Sequence, residues 1–184
     1  MSEQQDREAI LELHRTWWEA NHRLVIPEMQ SVFPSGDAYL MFNLNGHPYF
    51  GLEEKTKLWE HYQGQLDIVE YPELQVMRLT VSGDMAWLAC EGIFPVRATG
   101  ADGLGSESVK VGDGIDRMHL RATEIYQRND GDGNPKWKMW HFHCSPMPPS
   151  DEPRPGLGGS QKERGIGGGP GITPVRVTRT GSRD

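Results

Sequence analysis

The second half of the chain alternates apolar and polar residues with the two-residue period of β-strands. The pattern predicts a long hairpin whose strands are Met118–Arg128 and Trp137–Ser145. The segment between them contains Asp, Gly, Asn and Pro, the residues that form tight turns. A hairpin of this length is stable only within a wider sheet that has a covering layer. The rest of the chain is therefore expected to supply both.

The first half instead repeats its apolar residues with the period of a helix. Ile10, Leu13 and Trp17 form one apolar stripe of an amphipathic helix. Ser2 and Gln5 have the spacing of a capping box at its start. The predicted helices are Ser2–Asn21, a short one within His22–Val32 that has Pro27 in its first turn, and Gly51–Gly64.

Further strands are predicted at Ala38–Asn43, His47–Phe50, Leu74–Val81 and Met85–Arg97. Helices come first and a four-strand meander follows, which is typical of an α+β fold with its helices on one face of an antiparallel sheet. We expect the sheet to curve around the N-terminal helices and to leave a pocket between the two layers.

The composition changes after residue 149. Residues 150–184 are rich in Gly and Pro and have no apolar period. We therefore divide the chain into a folded domain, residues 1–149, and a tail, residues 150–184. Such a tail is ordered only when something holds it, so we expect it to pack on a neighbouring subunit or across its own sheet. Ile172–Val177 is its most strand-like part. The Gly- and Ser-rich segment Ala98–Gly114 is predicted to be a mobile loop.

Charge and cysteine content exclude several classes of protein. The net charge of −7 argues against a nucleic-acid binder, and no apolar run is long enough to span a membrane. The acidic, polar N-terminus is not a signal peptide, and Cys90 and Cys144 are expected to be free thiols, so a cytoplasmic location is predicted. No cysteine pair has metal-ligand spacing, and the His141-x-His143 pair has no clear third ligand, so no metal or other cofactor is predicted.

The final hairpin resembles a known family. TEIYQRNDG followed by WKMWHFHCSPMP is similar to the end of the association domain of calcium/calmodulin-dependent kinase, and it also resembles the SnoaL-like domains of bacteria. Both belong to the nuclear-transport-factor-2-like group of α+β cones. The order of elements agrees from about Arg7 to Met147, whereas the tail lies outside the resemblance.

The resemblance implies a conical domain with an apolar pocket, assembled into a dimer or a larger homo-oligomer through the sheet face. Members of the group include cofactor-independent isomerases, dehydratases, polyketide cyclases and lyases that release formaldehyde from aromatic dimers. Other members only bind partners. Function must therefore be argued from the site.

Two carboxylates are the sharpest catalytic candidates. Alternate residues of a strand share a face, and the resemblance places Glu124 at a pocket position. The same alternation, applied to the preceding strand, predicts that Glu91 also faces the pocket. Two carboxylates in one apolar pocket do not both ionise freely, so one could act as a general acid or base. Alternatively, each forms an ion pair, with Arg97, Lys55 or Arg121 as partners, or the strand alternation is displaced by one residue.

Four polar residues near the predicted cone mouth complete the candidate catalytic set: His22, Tyr39, Asn43 and Lys55. By resemblance, Asn43 or Phe42 falls where ketosteroid isomerase has its proton-transferring Asp, and Lys55 falls where the association domain has a pocket histidine. A desolvated lysine could act as a base or stabilise an oxyanion, although a surface lysine is the commoner outcome.

Aromatic side chains are expected to bind the substrate. The candidates are Trp18, Trp87, Trp140 and Phe142, which suit a flat aromatic molecule. By the same alternation, His141 and His143 share a face with Trp137 and Met139, and the family resemblance implies that this is the outer, subunit-contact face. We therefore interpret these two histidines as structural.

The main functional hypothesis is a cofactor-independent lyase or isomerase that acts on a small, hydrophobic, aromatic substrate and eliminates water or formaldehyde. Glu91 or Glu124 would transfer the proton, and His22, Tyr39, Asn43 or Lys55 would bind an oxygen. The alternatives are a non-catalytic oligomerisation or ligand-binding domain, whose pocket acids would all be paired to Arg or Lys, and a polyketide-type cyclase with a wider pocket mouth.

Overall fold

A computed structural model describes residues 2–68, 72–98 and 116–146, together with a few positions of the tail. The predicted loop at Ala98–Gly114, apart from Ala98 itself, and most of the tail lie outside these residues, as does the greater part of the strand predicted at Ile172–Val177. Among the described residues, no helix is long and apolar enough to cross a lipid bilayer.

Within the part of the chain that the structure describes, three helices form one layer: α1 (Glu3–Arg23), α2 (Ile26–Gln30) and α3 (Gly51–Tyr62). The predicted capping box is confirmed, because Ser2 Oγ accepts from the Gln5 backbone N–H while the Gln5 side chain accepts from Ser2 N–H. Gly51 begins α3 with φ = +69°, and a Cβ at this position would lie 2.8 Å from the Cα of Asp37. Only glycine fits this junction without strain.

The second layer is an open, curved sheet of eight strands within the described residues. In chain order they are β1 (Leu40–Phe42), β2 (Pro48–Phe50), β3 (Leu66–Ile68), β4 (Glu73–Ser82), β5 (Met85–Ala98), β6 (Asp116–Arg128), β7 (Trp137–Pro146) and β8 (Val175–Arg176). The spatial order is β2-β1-β7-β6-β5-β4-β8, with β3 beside the end of β5. The predicted α+β architecture and the β4–β7 meander are confirmed.

The sheet differs from the prediction in two details. The β1–β7 pair is parallel, so the sheet is mixed rather than wholly antiparallel. The short strand β3 was not predicted, because three residues are too few to show a period. In the tail, Val175–Arg176 pairs antiparallel with Gln75 and Val76 of β4.

An aromatic cluster fills the space between the helices and the sheet. Trp17 lies at its centre, 1% exposed, with ring centroids 5.2–5.4 Å from Phe33, Trp59 and Phe142 in edge-on orientations. These four rings come from α1, α3, β7 and the segment after α2, so one cluster holds both layers together. Truncating a buried tryptophan of this kind to alanine typically costs about 3–5 kcal/mol.

A polar contact fixes the start of α1 on the end of the hairpin. The Asp6 carboxylate accepts two hydrogen bonds of 2.7 Å from the Arg128 guanidinium and one of 3.0 Å from the Trp137 indole N–H. The hydrogen bonds from Arg128 and Trp137 hold the pKa of Asp6 down at about 2. The contact joins residues more than 120 positions apart, and it sets the direction of α1 across the sheet.

The inner face of β6 agrees with the prediction, whereas that of β5 does not. Leu120, Ala122 and Glu124 are buried. On β5, however, Ala86, Leu88 and Cys90 face inward, because they pair with buried residues of β6 in antiparallel register. The inward placement of Glu91 was therefore wrong by one residue.

A β-bulge changes the alternation along β7. Met139 pairs with Tyr126 and His141 pairs with Ile125, so Trp140 is an extra residue between them. Met139 and Phe142 are consequently both buried although they differ in parity. Trp140 is only half-buried, and its indole N–H donates to the carbonyl oxygen of Asn129 in the turn.

Candidate functional site

An apolar cavity opens between the helices and the inner face of the sheet. Its empty space is about 610 Å³ including the open mouth, of which about 70 Å³ can hold the centres of water molecules. Most of its wall is aromatic or aliphatic. The lining side chains include Trp17, Trp18, Leu24, Met41, Leu44, Leu58, Trp59, Leu66, Phe94, Val96, Met118, Leu120 and Phe142. A wall of this composition suits a small apolar ligand.

Tyr62 is a polar group of the cavity wall that two side-chain amides contact. Its hydroxyl oxygen accepts hydrogen bonds of 3.3 Å from the side-chain amides of Asn43 and Asn45. The Asn45 amide is fixed, because its oxygen accepts from the backbone N–H of His47 and its nitrogen also donates to the Tyr49 hydroxyl. Burial raises the pKa of Tyr62 to about 12, so its hydroxyl stays protonated at neutral pH.

Asn21 places a second polar side chain on the cavity wall. Its side-chain oxygen accepts a 2.9 Å hydrogen bond from the Trp59 indole N–H. This contact orients the amide and joins the last turn of α1 to α3. Four of the described lining residues carry a side-chain amide, phenol or thiol: Asn21, Asn43, Tyr62 and Cys144. Burial raises the pKa of the Cys144 thiol.

Glu124 faces inward as predicted, but it lies beneath the cavity wall rather than on it. Its carboxylate contacts the imidazole Nδ1 of His14 at 2.9 Å, the indole N–H of Trp18 at 2.8 Å and the hydroxyl of Tyr126 at 2.5 Å. Glu124, His14 and Tyr126 are all 0% exposed. Burial raises the pKa of Tyr126 well above its usual value, so this phenol remains a donor. The network satisfies a buried carboxylate, as the low-dielectric core requires.

The same network contains the described residues that come nearest to a metal site. Ligand atoms of His14, Cys90 and Glu124 lie within 4.8 Å of one another. The His14–Glu124 separation of 2.9 Å is that of a direct hydrogen bond, and burial raises the pKa of the Cys90 thiol well above its usual value. A protonated thiol is a poor metal ligand, so the observed geometry fits a hydrogen-bond network better than a metal centre.

Lys55 is buried in the aromatic cluster, 1% exposed. Its Nζ lies 3.8 Å from the centroid of Trp59, 4.4 Å from that of Trp17 and within 6 Å of three further rings. Its closest polar contact is the Sδ atom of Met41, at 2.9 Å. Desolvation lowers the pKa of Lys55 well below its usual value. Rings of the cavity wall separate this amine from the cavity.

The other predicted polar residues also lie off the cavity wall. Tyr39 is fully buried against Phe33, with ring centroids 4.4 Å apart, and burial raises its pKa well above the usual value. His22 is half-buried in the last turn of α1, next to Asn21, and is not part of the lining. Of the four predicted polar residues at the cone mouth, the structure brings Asn43 alone to the cavity.

Three further predicted positions lie on the outer face of the sheet or at its bulge. Glu91 pairs across the strands with Arg121, at 3.2 Å, on the outer face. Trp87 is 39% exposed on the same face, so its predicted pocket position was wrong. Trp140 is displaced from the cavity by the bulge. The predicted cavity positions of Trp18 and Phe142 are confirmed.

The two histidines of β7 lie away from the cavity, as predicted. His141 and His143 contact the Phe42 ring edge-on, with centroids 5.3 and 5.6 Å apart. Burial lowers the pKa of His141, so it is neutral at physiological pH. The prediction that they share a face with Trp137 and Met139 was wrong, because both of those residues face the core on the other side of the bulge.

Asn21, Tyr62 and His14 were not predicted from the sequence to be site residues. Each has a helical signal that could have identified it. Asn21 follows Trp17 by four residues, Tyr62 follows Trp59 by three, and His14 precedes Trp18 by four. These spacings place each polar side chain on the buried stripe of its helix.

The sequence of residues 10–149 matches the family profile of the SnoaL-like domain. The chain belongs to the SnoaL-like family. The profile covers α1 from Ile10 onward and all the strands up to β7. The predicted family resemblance is therefore confirmed.

Several solved structures of other proteins share this fold. A ketosteroid isomerase-like protein from Erwinia carotovora atroseptica has a TM-score of 0.60 at 12% identity, over 77% of this chain and 96% of that one. A candidate dehydratase of the NTF2-like family from Streptomyces avermitilis has a TM-score of 0.56 at 18% identity, over 80% and 99%. A candidate calcium/calmodulin-dependent kinase type II association domain from Thiobacillus denitrificans has a TM-score of 0.53 at 14% identity, over 74% and 93%.

At these identities the similarity establishes the fold alone. Among curated proteins, none has a sequence that matches this chain. The function of this SnoaL-like domain therefore has to be argued from its own cavity and its own polar groups.

Proposed function

We propose that this SnoaL-like domain binds a small, flat, largely apolar molecule in the cavity. The observation that carries the proposal is a cavity walled by Trp17, Trp18, Trp59 and Phe142 that also has oriented polar groups on its wall. Aromatic walls gain contact area with a flat ligand at little cost in side-chain entropy. The polar groups would fix its orientation.

Binding is better supported than proton transfer by the placement of the acids. Among the described residues, no carboxylate or imidazole lines the cavity. Glu91 is outside, paired with Arg121, and both oxygens of Glu124 already accept hydrogen bonds within the core. Glu91 has the cationic partner that the ligand-binding alternative predicts, whereas Glu124 is held by His14, Trp18 and Tyr126 rather than by Arg or Lys.

A titration of thermal stability with small aromatic molecules tests the proposal. A ligand that binds only the folded state raises the free energy of unfolding by about 2.7 kcal/mol at a hundred times its dissociation constant. Leu120→Trp puts an indole into the cavity, and we expect it to weaken binding roughly tenfold or more, about 1.4 kcal/mol.

The matched control is Ile93→Trp, on the outer face of the neighbouring strand. We expect this variant to bind as the native protein does. Equal binding by native protein and Leu120→Trp would show that the ligand binds elsewhere.

A cofactor-independent lyase or isomerase is the second candidate. Glu124 is hydrogen-bonded to Trp18, which lines the cavity, so a small shift of this indole would open a path between carboxylate and ligand. Glu124 would then transfer the proton while Asn43 binds an oxygen. Elimination of water or formaldehyde from a hydroxylated aromatic side chain needs no more than acid–base catalysis. The names of two similar structures, a dehydratase and an isomerase-like protein, are consistent with this class.

Glu124→Gln tests the catalytic candidate. A loss of turnover with unchanged ligand affinity would support catalysis by Glu124, because the amide keeps the shape of the side chain and removes its basic oxygen. Turnover that survives the substitution in a folded variant would exclude Glu124 as the base. If the native protein binds ligands but shows no turnover, only the binding function is supported.

We further propose that the domain assembles into a homodimer or larger homo-oligomer through the outer sheet face and the tail. Phe42, Phe50 and Trp87 are between 39% and 56% exposed on the described surface, and burial of such rings in a subunit contact is favourable. The association-domain similarity is consistent with assembly. Sedimentation equilibrium tests this proposal, and a monomer at 100 μM would contradict it.

A further inference from the structure

The cavity wall contains one hydroxyl that has been oriented by other side chains. Tyr62 ends α3, and its oxygen accepts from the amide of Asn45 at 3.3 Å. The backbone N–H of His47 fixes the amide oxygen of Asn45, so the nitrogen of Asn45 must face the two phenols, Tyr62 and Tyr49. A hydroxyl that accepts from a fixed donor directs its own proton elsewhere.

The second neighbour of Tyr62 strengthens this orientation. The Asn43 amide nitrogen also donates to the Tyr62 oxygen, at 3.3 Å. The phenol accepts two hydrogen bonds and donates none among the described residues, although Tyr62 is 7% exposed. Two donors on a phenol oxygen polarise its O–H bond and make it a better donor.

We propose that the Tyr62 hydroxyl donates a hydrogen bond to an oxygen of the bound molecule, and that the ligand is a small aromatic compound with a phenolic or carbonyl oxygen. This inference rests on the proposed binding function of the cavity. The rest of the lining is mostly apolar, and its two amides, Asn21 and Asn43, are already hydrogen-bonded to Trp59 and Tyr62. A single oxygen on an otherwise apolar ring would match the Tyr62 donor in this wall.

The charge of the cavity limits the ligand further. Among the described lining residues there is no lysine, arginine or histidine, so the wall offers no cation to a carboxylate or phosphate. Burial raises the pKa of Tyr62 to about 12, and the phenol therefore remains a donor through the neutral range. A neutral oxygen function is favoured over an anionic head group.

Two probe molecules of nearly equal shape distinguish the hydrogen bond to a ligand oxygen from apolar burial of the ligand in the cavity. The probes are p-cresol and p-xylene, which differ by a hydroxyl in place of a methyl group. Their dissociation constants are measured by two-dimensional NMR titration of the native protein, of Tyr62→Phe and of Tyr49→Phe. Tyr49 is the matched control, because it also accepts from Asn45, at 2.7 Å, but does not line the cavity.

We expect Tyr62→Phe to weaken p-cresol binding by about threefold to tenfold, the effect of one hydrogen bond, and to leave p-xylene binding within twofold. Tyr49→Phe should change neither. Equal effects of Tyr62→Phe on both probes, or none on either, would overturn the inference while the cavity function stands. A loss of p-cresol affinity in Tyr49→Phe as large as that in Tyr62→Phe would also overturn it.

The proposed function fails in a different way. If neither probe binds the native protein, the cavity is not a ligand site for small aromatic molecules. The backbone signals in the same NMR spectra show whether Tyr62→Phe is folded, which is required before its affinities are compared with those of the native protein. If that variant does not fold, Asn45→Ala provides the second test, because loss of the fixed donor should reduce p-cresol affinity and spare p-xylene.

Discussion

At the scale of single residues, Glu124 has the most demanding environment, because its carboxyl group is 0% exposed and its oxygens contact His14, Trp18 and Tyr126. Glu124→Gln keeps the volume but replaces one oxygen with an amide nitrogen, which cannot accept a hydrogen bond, so the contact with Trp18 or with Tyr126 is lost. We expect it to lower the free energy of unfolding by about 1.5–3 kcal/mol. Urea denaturation measures this change.

The control for Glu124 is the other carboxylate that the sequence indicated. Glu91→Gln removes an ion pair on the outer face, where the Arg121 side chain is 49% exposed. An exposed pair contributes less than about 1 kcal/mol. Equal losses in the two variants would contradict the account of the buried network.

Lys55 supplies a second prediction at this scale. Its buried amine has aromatic neighbours and, within the described residues, no ion-pair partner. Cation–π attraction is worth about 2 kcal/mol in a desolvated site, whereas removing an ammonium from water costs several kcal/mol, so burial dominates. We expect Lys55→Met to be at least as stable as the native protein at pH 7.

The pH dependence of this effect has a defined sign. The pKa of Lys55 is lower in the folded state, so between that pKa and 10.5 the unfolded chain binds the proton more readily. The resulting cost to folding is greatest at low pH and disappears as the pH rises through 10.5. The advantage of Lys55→Met should therefore narrow between pH 7 and pH 10 in denaturant unfolding, and an advantage that widens would contradict the account.

The residue scale also shows what the sequence could predict about the site. The inward position of Glu124 was predicted from the family resemblance, and the alternation along β6 places it on the same face as Leu120 and Ala122. Glu91 was misplaced because β5 has apolar side chains on both faces, with Trp87 and Ile93 outside and Leu88 inside. A strand of this kind shows no clear period, and a long connection to β6 leaves the register open.

At the scale of elements, the position of α1 depends on Asp6. Its carboxylate has a pKa of about 2 in the folded protein, against 3.8 ordinarily, chiefly because of Arg128 and then Trp137. The stabilisation is complete above about pH 4 and is lost as the pH falls towards 2. We expect the stability of Asp6→Asn to depend less on pH between 4 and 2 than that of the native protein.

Thermal unfolding at several pH values measures this difference. The control is Glu12→Gln on the same helix, which removes an exposed pair with Arg15. The Glu12 variant should follow the native profile. If the stability of Asp6→Asn depended on pH as that of the native protein does, the Asp6 carboxylate would not be the group that titrates in this range.

Most elements could be predicted, because helices and strands of ten or more residues show their period clearly. The bulge at Trp140 could not, because it depends on the pairing of β7 with β6 rather than on a local pattern. It alters which aromatic residues of β7 face the core. The predicted contribution of Trp140 to the cavity failed for this reason, whereas that of Phe142 did not.

At the scale of the whole molecule, the division into residues 1–149 and 150–184 remains a prediction. The aromatic core and the Asp6 contact lie entirely within the first segment. We therefore expect a protein truncated after Pro149 to unfold cooperatively, with a modest loss of stability from uncovering β4, where Val175–Arg176 pairs. Circular dichroism during thermal unfolding measures this, and a truncated chain without a cooperative transition would contradict it.

The central claim is that the cavity binds small aromatic molecules, and the six tryptophans test it most directly. Each indole N–H gives its own signal in a two-dimensional NMR spectrum. Trp17, Trp18 and Trp59 line the cavity, whereas Trp87 lies on the outer face and Trp140 at the bulge. Titration with p-cresol should shift the first three signals saturably and leave those of Trp87 and Trp140 in place. Shifts confined to Trp87 and Trp140, or no saturable shift of any indole signal, would contradict the account.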